Sequence, residues 1–594
     1  MKAFTEPLLS LAGFEEMTKT VEKSSGLISV TGCIDAQKSQ MIYAFGGHRK
    51  NKLIVTFGEQ KAKELYDEYS FFDKEVVYYP SKDVLFYQSD IRGNLLTAER
   101  IRALKAIREQ ERVTLVTTFD ALMNTMAPIE KMWENVLTLE LGQLLDLKEI
   151  QAALIRMGYE KEYQVQTMGQ FSVRGGILDV FPLTEENPIR IELWGDEIDT
   201  IRYFDCESQK SIENIDRVSI YPAAELVLSD EEKAGGIDKL KAEAKRVSDK
   251  LRKQMKTEEA HRVTVMADEL TEEWGELSMY AGMDAFLSYF FDERVGILDY
   301  FNPSDSLIFF DELTRCVEQG KLTETEFSES MKQRLAMGYI LPGQMNGLFT
   351  EKEIVAKLGK YSCIALAALD NKANGLHQLG SYGIHCQSVS PYNNSFELLI
   401  KDLKRYKKNG YRVILLSGSR TRAKRLSEDI TDQGITCFYT ENYDHELSEG
   451  QIMVCYGKVR RGFEYPILKF AVITESDIFG AQQKKKKRHR TYEGEKIQSF
   501  TDLSVGDYVV HENHGLGIYR GIEKLEVDKK VKDYIKIEYQ GGSNLYILAT
   551  QLDMIQKYAG KDARKPKLNK LGGQEWTRTC LLYTSPSPRD RTRS

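Results

Sequence analysis

The stretch Val505–Tyr558 constrains its own fold more tightly than any other part of the chain. Asp507–His511 is a short β-rich run closed by the turn residues Asn513, Gly515 and Gly517, and Ile518–Ile522 is a second run before a turn at Asp528–Lys530. From Tyr534 to Tyr539 the residues alternate, with Ile535, Ile537 and Tyr539 on one side and Tyr534, Lys536 and Glu538 on the other. Gln540–Asn544 turns again and Leu545–Leu548 closes the set. Short strands joined by glycine turns predict a small SH3-like β-barrel. A barrel of this size has no interior for a buried active site, so the segment reads as an adaptor.

The whole chain, at 594 residues, exceeds one hydrophobic core and predicts three to five domains. Its 82 Lys and Arg against 89 Asp and Glu give a net charge of −7, which argues against a chain that binds nucleic acid over its whole surface. No apolar run approaches the roughly 18 residues that span a bilayer. Glu6 interrupts the N-terminus before any apolar core, which makes a poor signal peptide. Cysteines 33, 206, 316, 363, 386, 437, 455 and 580 are scattered without a C-x-x-C pair, the pattern of reduced thiols in a cytoplasmic protein with neither zinc site nor disulfide framework. His511 and His514 lack further ligands and read as turn residues; no metal site is expected.

Along the chain the texture changes several times. Gly26–Thr31, Leu53–Phe57, Val76–Tyr79 and Val113–Thr118 are apolar β-rich runs separated by helical patterns at Gln60–Phe72 and Leu95–Gln110, which predicts a parallel α/β sheet. Hairpin texture follows at Gln164–Val173, Gly176–Phe181, Arg190–Trp194 and Ile198–Phe204. Charged helical sequence resumes over Ile237–His261 and leads to Leu307–Asp311. A second α/β unit holds the strand Val413–Leu416, the helix Arg422–Gln433 and the strand Phe470–Thr474.

After the first strand the chain reads Gly32-Cys33-Ile34-Asp35-Ala36-Gln37-Lys38-Ser39. A phosphate-binding loop is G-x-x-x-x-G-K-[ST] after a strand, and Gly32, Lys38 and Ser39 fit it. Gln37 stands where the second glycine lets backbone N–H groups curl round the phosphates. Much later, Leu307–Phe310 leads to Asp311 and Glu312, which resemble a Walker B strand whose carboxylates hold Mg²⁺. Two readings stand: a working ATPase, or an ATPase-derived fold whose nucleotide site has decayed.

In Arg190–Trp194, Ile191 and Leu193 point to one face and Arg190, Glu192 and Trp194 to the other. Two apolar residues satisfy the core, so Trp194 beside Arg190 is left towards solvent, the composition of a binding hot spot. The alternative is a Trp194 that caps a second apolar layer, with Arg190 paired to Glu192.

Three segments resemble known proteins. VVHENHGLGIY, the following GI-x-x-LEV and the LY-x-x-x-x-QLD run resemble the RNA-polymerase-interacting module of bacterial transcription-repair coupling factors (the Mfd family) and of CarD-like regulators. Phe171–Pro182 resembles the VRG-x-I-D-I-FP element that the repair helicase UvrB shares with coupling factors. Arg461–Pro466 and Ile473–Glu475 are similar to that family's third domain. Only the coupling factors carry these parts in this order: UvrB lacks the barrel, and a CarD-like regulator carries it near its N-terminus.

The resemblance covers about residues 1–579 and implies a multidomain α/β protein. It comprises a decayed UvrB-like helicase domain (1–135 and 222–350) with a β-hairpin insert at 136–221, and a second α/β domain at 355–482. A basic linker at 483–498 leads to the CarD-like module at 499–558, and 559–579 begins a translocase region that then stops. Residues 580–594 read as a translated sequencing adapter. By resemblance, Arg174, Arg190 and Trp194 bind UvrA, while Leu525 with Lys524 and Ile522 meets the RNA polymerase β subunit on an edge strand. Leu525 as ordinary barrel core is the alternative. The run Lys484, Lys485, Lys486, Lys487 and Arg488 is either a solvated tether or a contact to DNA phosphates. The family's motor uses ATP and Mg²⁺ to translocate on double-stranded DNA; this chain is expected to need no cofactor of its own, to act as a monomer without membrane contact, and to serve transcription-coupled nucleotide excision repair by holding stalled polymerase and recruiting UvrA. A UvrB-like ATPase and a motorless CarD-like regulator are the alternatives.

Overall fold

In the computed structural model the first unit builds one seven-stranded sheet. Its order is Gln378–Gly383, Gly26–Thr31, Ser362–Leu366, Ser306–Asp311, Asn51–Thr56, Val113–Thr118, Val76–Tyr79, and every neighbouring pair is parallel. The structure describes residues 1–480 apart from 47–48, 83–93, 207, 277–282 and 370–373, and residues 494–558 apart from 497–502, 512–514, 528–529, 541–543 and 549–554. The inner strands are buried almost throughout because both faces of a parallel sheet are covered, whereas the edge strand Gln378–Gly383 is exposed or half-buried along its length. Leu27, Leu53 and Leu115 enter one core with the helices Asn94–Glu109 and Leu313–Ala336; Ile28, Ile54 and Val116 enter the other.

This sheet extends beyond the boundary read from the sequence. Ser362–Leu366 and Gln378–Gly383 flank Gly26–Thr31, with Gly26 opposite Ser362, so the first sheet reaches residue 383 rather than closing near 350. Parallel neighbours are joined only through crossovers, and here the crossover contains the insert and the helical return. Proximity in sequence therefore carries no signal of the pairing.

The insert is a six-stranded sheet ordered Ser211–Asn214, Glu197–Phe204, Ile189–Trp194, Ile177–Val180, Gln170–Arg174, Glu160–Lys161, antiparallel except for the last pair. Phe171, Leu178, Val180, Ile189, Ile191 and Ile201 pack on one face against Leu154 of the helix Leu147–Arg156. The helical return starts at a capping box of Ser229 and Glu232. The single helical pattern expected through His261 breaks at Met255, whose φ is 61°, into Asp230–Lys253 and Thr257–Glu276.

The second unit is a six-stranded sheet, Gln387–Ser388, Phe463–Tyr465, Phe470–Thr474, Arg412–Ser417, Ile452–Tyr456, Phe438–Tyr439. Val413 and Leu415 face the helices Phe396–Lys408 and Arg420–Asp432, whereas Ile414, Leu416, Met453 and Val472 join Ile28 and Ile54 in the second core of the first unit. The two units thus share one apolar layer. The C-terminal module is an antiparallel sheet of six strands, with Gly494–Lys496 and Asn544–Leu548 at its edges. Ile535, Ile537 and Tyr539 lie in its core, on the face that the alternation assigns them. No helix among the described residues is long and apolar enough to cross a membrane.

One buried charge cluster ties the first unit together. Arg100 bonds Glu225 at 2.7 and 3.1 Å and Pro80 O at 2.6 Å, and stacks over Tyr79 at 4.0 Å. Lys82 reaches Glu225 at 3.0 Å and Asp284 at 3.2 Å. Burial works to raise the Glu225 carboxyl, but Arg100 and Lys82 outweigh it and hold the group at about 2. Its stabilising contribution is present above the ordinary carboxylate range and is lost as pH falls towards about 2. Glu225→Ala leaves two cations buried without their carboxylate and is expected to cost about 3–5 kcal/mol in urea denaturation; a loss below about 1 kcal/mol would show that the cluster does not hold the unit.

Candidate functional site

The strand Gly26–Thr31 ends in Gly32, whose φ of 77° turns the chain into the helix Asp35–Gly46. The sequence brings Gly32, Lys38, Ser39, Asp311 and Glu312 to the carboxyl edge of the first sheet, where α/β folds hold ligands. That edge is filled from within. The Gly32 and Cys33 N–H groups donate to Ala368 O and Ala367 O at 3.3 and 2.9 Å. A Cβ at Gly32 would meet Ile384 O at 2.1 Å, so the segment beyond Gly383 presses directly on the turn.

Lys38, only 1% exposed, donates to Asp311 Oδ1 at 2.5 Å, Glu312 Oε1 at 3.0 Å and Asp35 Oδ1 at 3.2 Å. Burial opposes its charge, but Asp311 and Glu312 more than compensate and raise the ammonium above an ordinary lysine. Asp311 is further held by Thr56 Oγ1 at 3.0 Å, and Glu312 Oε1 accepts the Ala368 N–H at 3.1 Å. Ser39 Oγ lies 3.5 Å from Glu68 rather than beside the two carboxylates of the strand end. Gln37, in the glycine position, is wholly buried, and its Oε1 accepts from Tyr465 Oη of the second unit at 3.2 Å. Gln40 offers Oε1 to the same hydroxyl at 3.3 Å and donates to Phe4 O at 2.5 Å. Among the described residues no group of three or more His, Cys, Asp or Glu could hold a metal ion. These residues do not fit a nucleotide with its metal: the Gly32 and Cys33 N–H groups, the lysine and the glycine position are engaged by the protein.

The outer face of the insert is organised differently. Ser172, Asp179, Arg190 and Arg202 are successive cross-strand partners on that face. Asp179, 1% exposed, accepts Arg174 Nη2 at 2.7 Å and Arg190 Nε and Nη2 at 2.7 and 2.8 Å. Arg190 also donates to Gln209 Oε1 at 2.9 Å and stacks over Phe204 at 4.4 Å. Glu192 pairs with Arg202, not with Arg190 as the alternative sequence reading has it. Trp194, the last residue of its strand, is 83% exposed. The structure therefore brings Arg174, Arg190 and Trp194 to one face. The residue that sequence reasoning missed is Asp179: a lone acid between inward-facing Leu178 and Val180 was the available signal.

In the C-terminal module the strand Gly515–Val527 pairs with Tyr508–His511 only through Ile518, while its pairing with Lys530–Glu538 continues to Val527. Beyond Tyr519 the strand has no second neighbour among the described residues, and Leu525 lies in that stretch opposite Lys532. Ile522 is partly buried against the module core. The Lys524 and Leu525 side chains and the run Lys484–Arg488 lie outside the described residues.

Two parts of the chain match protein families: residues 137–226 match the UvrB interaction domain, and residues 503–559 the CarD-like/TRCF RID domain. Over longer stretches the chain is similar to proteins named transcription-repair-coupling factor. That of Bacillus subtilis (strain 168) is 31% identical over 528 residues, covering 88% of this chain and 44% of that protein. That of Staphylococcus haemolyticus is 30% identical over 564 residues, covering 93% and 47%. That of Staphylococcus aureus (strain MRSA252) is 30% identical over 581 residues, covering 95% and 48%. The chain thus spans about half the length of these relatives.

One buried carboxylate bridges the junction of the two α/β units. Glu68, 6% exposed, accepts the Arg460 N–H at 3.0 Å across it. Burial pushes its carboxyl up to about 7, despite the lowering effect of Arg460 and Lys61. A carboxyl raised on folding contributes stability below its ordinary value of 4.5, and that contribution is lost as pH rises through about 7. Glu68→Gln is expected to remove a fall in unfolding free energy on the order of 3 kcal/mol between these limits. Urea titrations of both proteins across the window measure it, and parallel curves would refute the assignment.

Proposed function

The chain is homologous to the bacterial transcription-repair-coupling factors along most of its length, and from that premise we propose that it works as a docking component of transcription-coupled nucleotide excision repair. The carrying observation is that an insert matching the UvrB interaction domain and a module matching the CarD-like/TRCF RID domain occur in one chain. A UvrB-like helicase accounts for the first alone, and a CarD-like regulator for the second alone.

In this reading the insert face takes UvrA through Arg174, Arg190 and Trp194, and the strand edge near Leu525, flanked by Lys524 and Ile522, takes the RNA polymerase β subunit by strand addition. Main-chain hydrogen bonds along such an edge give affinity, and the side chain at Leu525 gives selectivity. The basic run Lys484–Arg488 serves as the tether between the second unit and the module. The cleft at Lys38 is a decayed nucleotide site kept for structure: Lys38, Asp311 and Glu312 satisfy one another, and Gln37 docks the second unit. ATP-driven displacement of polymerase on double-stranded DNA is the activity proposed for the whole protein of this family, not for these residues.

Leu525→Arg is expected to weaken capture of the polymerase β subunit by about 30-fold or more while the module's circular dichroism stays native; unchanged capture would sink the polymerase assignment. Titration of the chain with Mg·ATP is expected to give no heat of binding. Micromolar binding that disappears in Lys38→Ala would instead restore the ATPase.

A further inference from the structure

The outer face of the insert continues past the residues assigned above. Trp194 is the Cα partner of Glu197 across a two-residue turn at Gly195, whose φ is 66°. Leu144 forms an antiparallel bridge with the same Glu197 from the other side. Bridge partners project to the same face of a sheet, so Leu144, Glu197 and Trp194 form one row. Leu144 is 75% exposed and Trp194 is 83% exposed, and each is among the largest apolar exposures of the described residues. Strands lie about 4.8 Å apart, which puts their Cα atoms about 10 Å from each other. Arg174 lies at the neighbouring hairpin turn, at the same end of the sheet, about 12 Å from Trp194 by the same spacing. All of this fits within the roughly 800 Å² that one partner contributes to a standard interface.

The charges on this face are unevenly engaged. Asp179 receives three bonds from two arginines. Arg190 is only 13% exposed along its side chain and is held in one orientation on Asp179, Gln209 and Phe204. Arg174 gives Asp179 a single Nη2 bond and its side chain is 37% exposed, so it is less fully engaged than Arg190. We propose that Leu144 and Trp194 are paired apolar anchors of one docking face, and that the partner places an apolar ridge across them and a carboxylate on Arg174. The exposed Glu197 between the anchors repels that carboxylate from the apolar end and so fixes the orientation. Asp179 is a positioning residue that presents Arg174 without touching the partner.

This inference rests on UvrA as the partner of the insert. The test titrates the full chain against UvrA at low and high ionic strength. Leu144→Ser is expected to weaken binding about tenfold at both, as an anchor should, with the melting temperature unchanged because the side chain is exposed. Arg174→Ala is expected to weaken binding at low salt and to flatten its salt dependence, whereas Asp179→Asn, which leaves Arg174 charged but no longer held, is expected to lower affinity and keep the salt dependence. Arg174→Lys, which keeps the charge but loses the fork, is expected to keep the salt dependence with lower affinity. The exposed Leu398 of the second unit serves as control, and Leu398→Ser should bind like the parent. If Trp194→Ala loses binding while Leu144→Ser and Arg174→Ala behave like the parent, the extended face is wrong and the partner stands. If Trp194→Ala also binds like the parent, both fall.

Discussion

Four consecutive polar side chains, Gln37 to Gln40, are buried at the start of one helix, and their hydrogen bonds tie the two α/β units together, although Gln37 Nε2 has no partner among the described residues. A buried ammonium without partners is disfavoured by several kcal/mol. Lys38 therefore fixes where Asp311 and Glu312 must sit at the end of the strand Ser306–Asp311. Glu312 meets the demand from a left-handed backbone, φ 61°, which is uncommon for a residue other than glycine. Gln40 draws in the carbonyl of Phe4, and Gln37 and Gln40 share the hydroxyl of Tyr465. One turn of helix thus engages the first sheet, the N-terminal helix and the second unit. A nucleotide site needs the same edge open, with free N–H groups and an unspent lysine. Here the geometry that would cradle phosphate is consumed in joining two sheets.

The insert uses similar chemistry to the opposite end. It too has a buried carboxylate, Asp179, with cations on it, but the cations lie on the outer face of a sheet and one of them is less fully engaged. Strands hold side chains more exactly in place than loops do, and a side chain already fixed by its neighbours loses less freedom on binding. Arg190 illustrates this: stacked on Phe204 and bonded to Asp179 and Gln209, it has little freedom left to lose.

Much of this architecture is legible in the residues, for identifiable reasons. The strands Val76–Tyr79, Val113–Thr118 and Phe470–Thr474 fall where β-rich, largely apolar runs place them, because a parallel sheet covered on both faces needs such runs. Alternation at Ile535, Ile537 and Tyr539 gives the inward face of the module, and alternation at Arg190–Trp194 gives the outward one of the insert. What was not legible is what depends on distant partners. Ser362–Leu366 carries no mark that it lies beside Gly26–Thr31. Arg190 has an acid two residues away in Glu192, yet its partner is Asp179 on the next strand, because side chains on adjacent strands in register are closer than i, i+2 neighbours along one strand. The helical break at Met255 has no glycine or proline to announce it. Gln37 reads locally as a lost glycine. Only Tyr465, more than four hundred residues later, gives it a role.

A missing P-loop glycine alone is compatible with drift, in which case the vacated space would be loosely packed and its polar groups left to water. In this chain the lysine has three carboxylate partners, and the backbone donors of Gly32 and Cys33 have carbonyl partners. A cleft filled in this way opposes an anionic ligand, since an anion entering at Lys38 would have to displace the buried Asp311 or the Glu312 carboxylate from it. The same packing that closes the cleft holds the second unit against the first, so opening it would loosen their junction as well. At this helix the contacts that close the cleft and those that frame the two units are the same set.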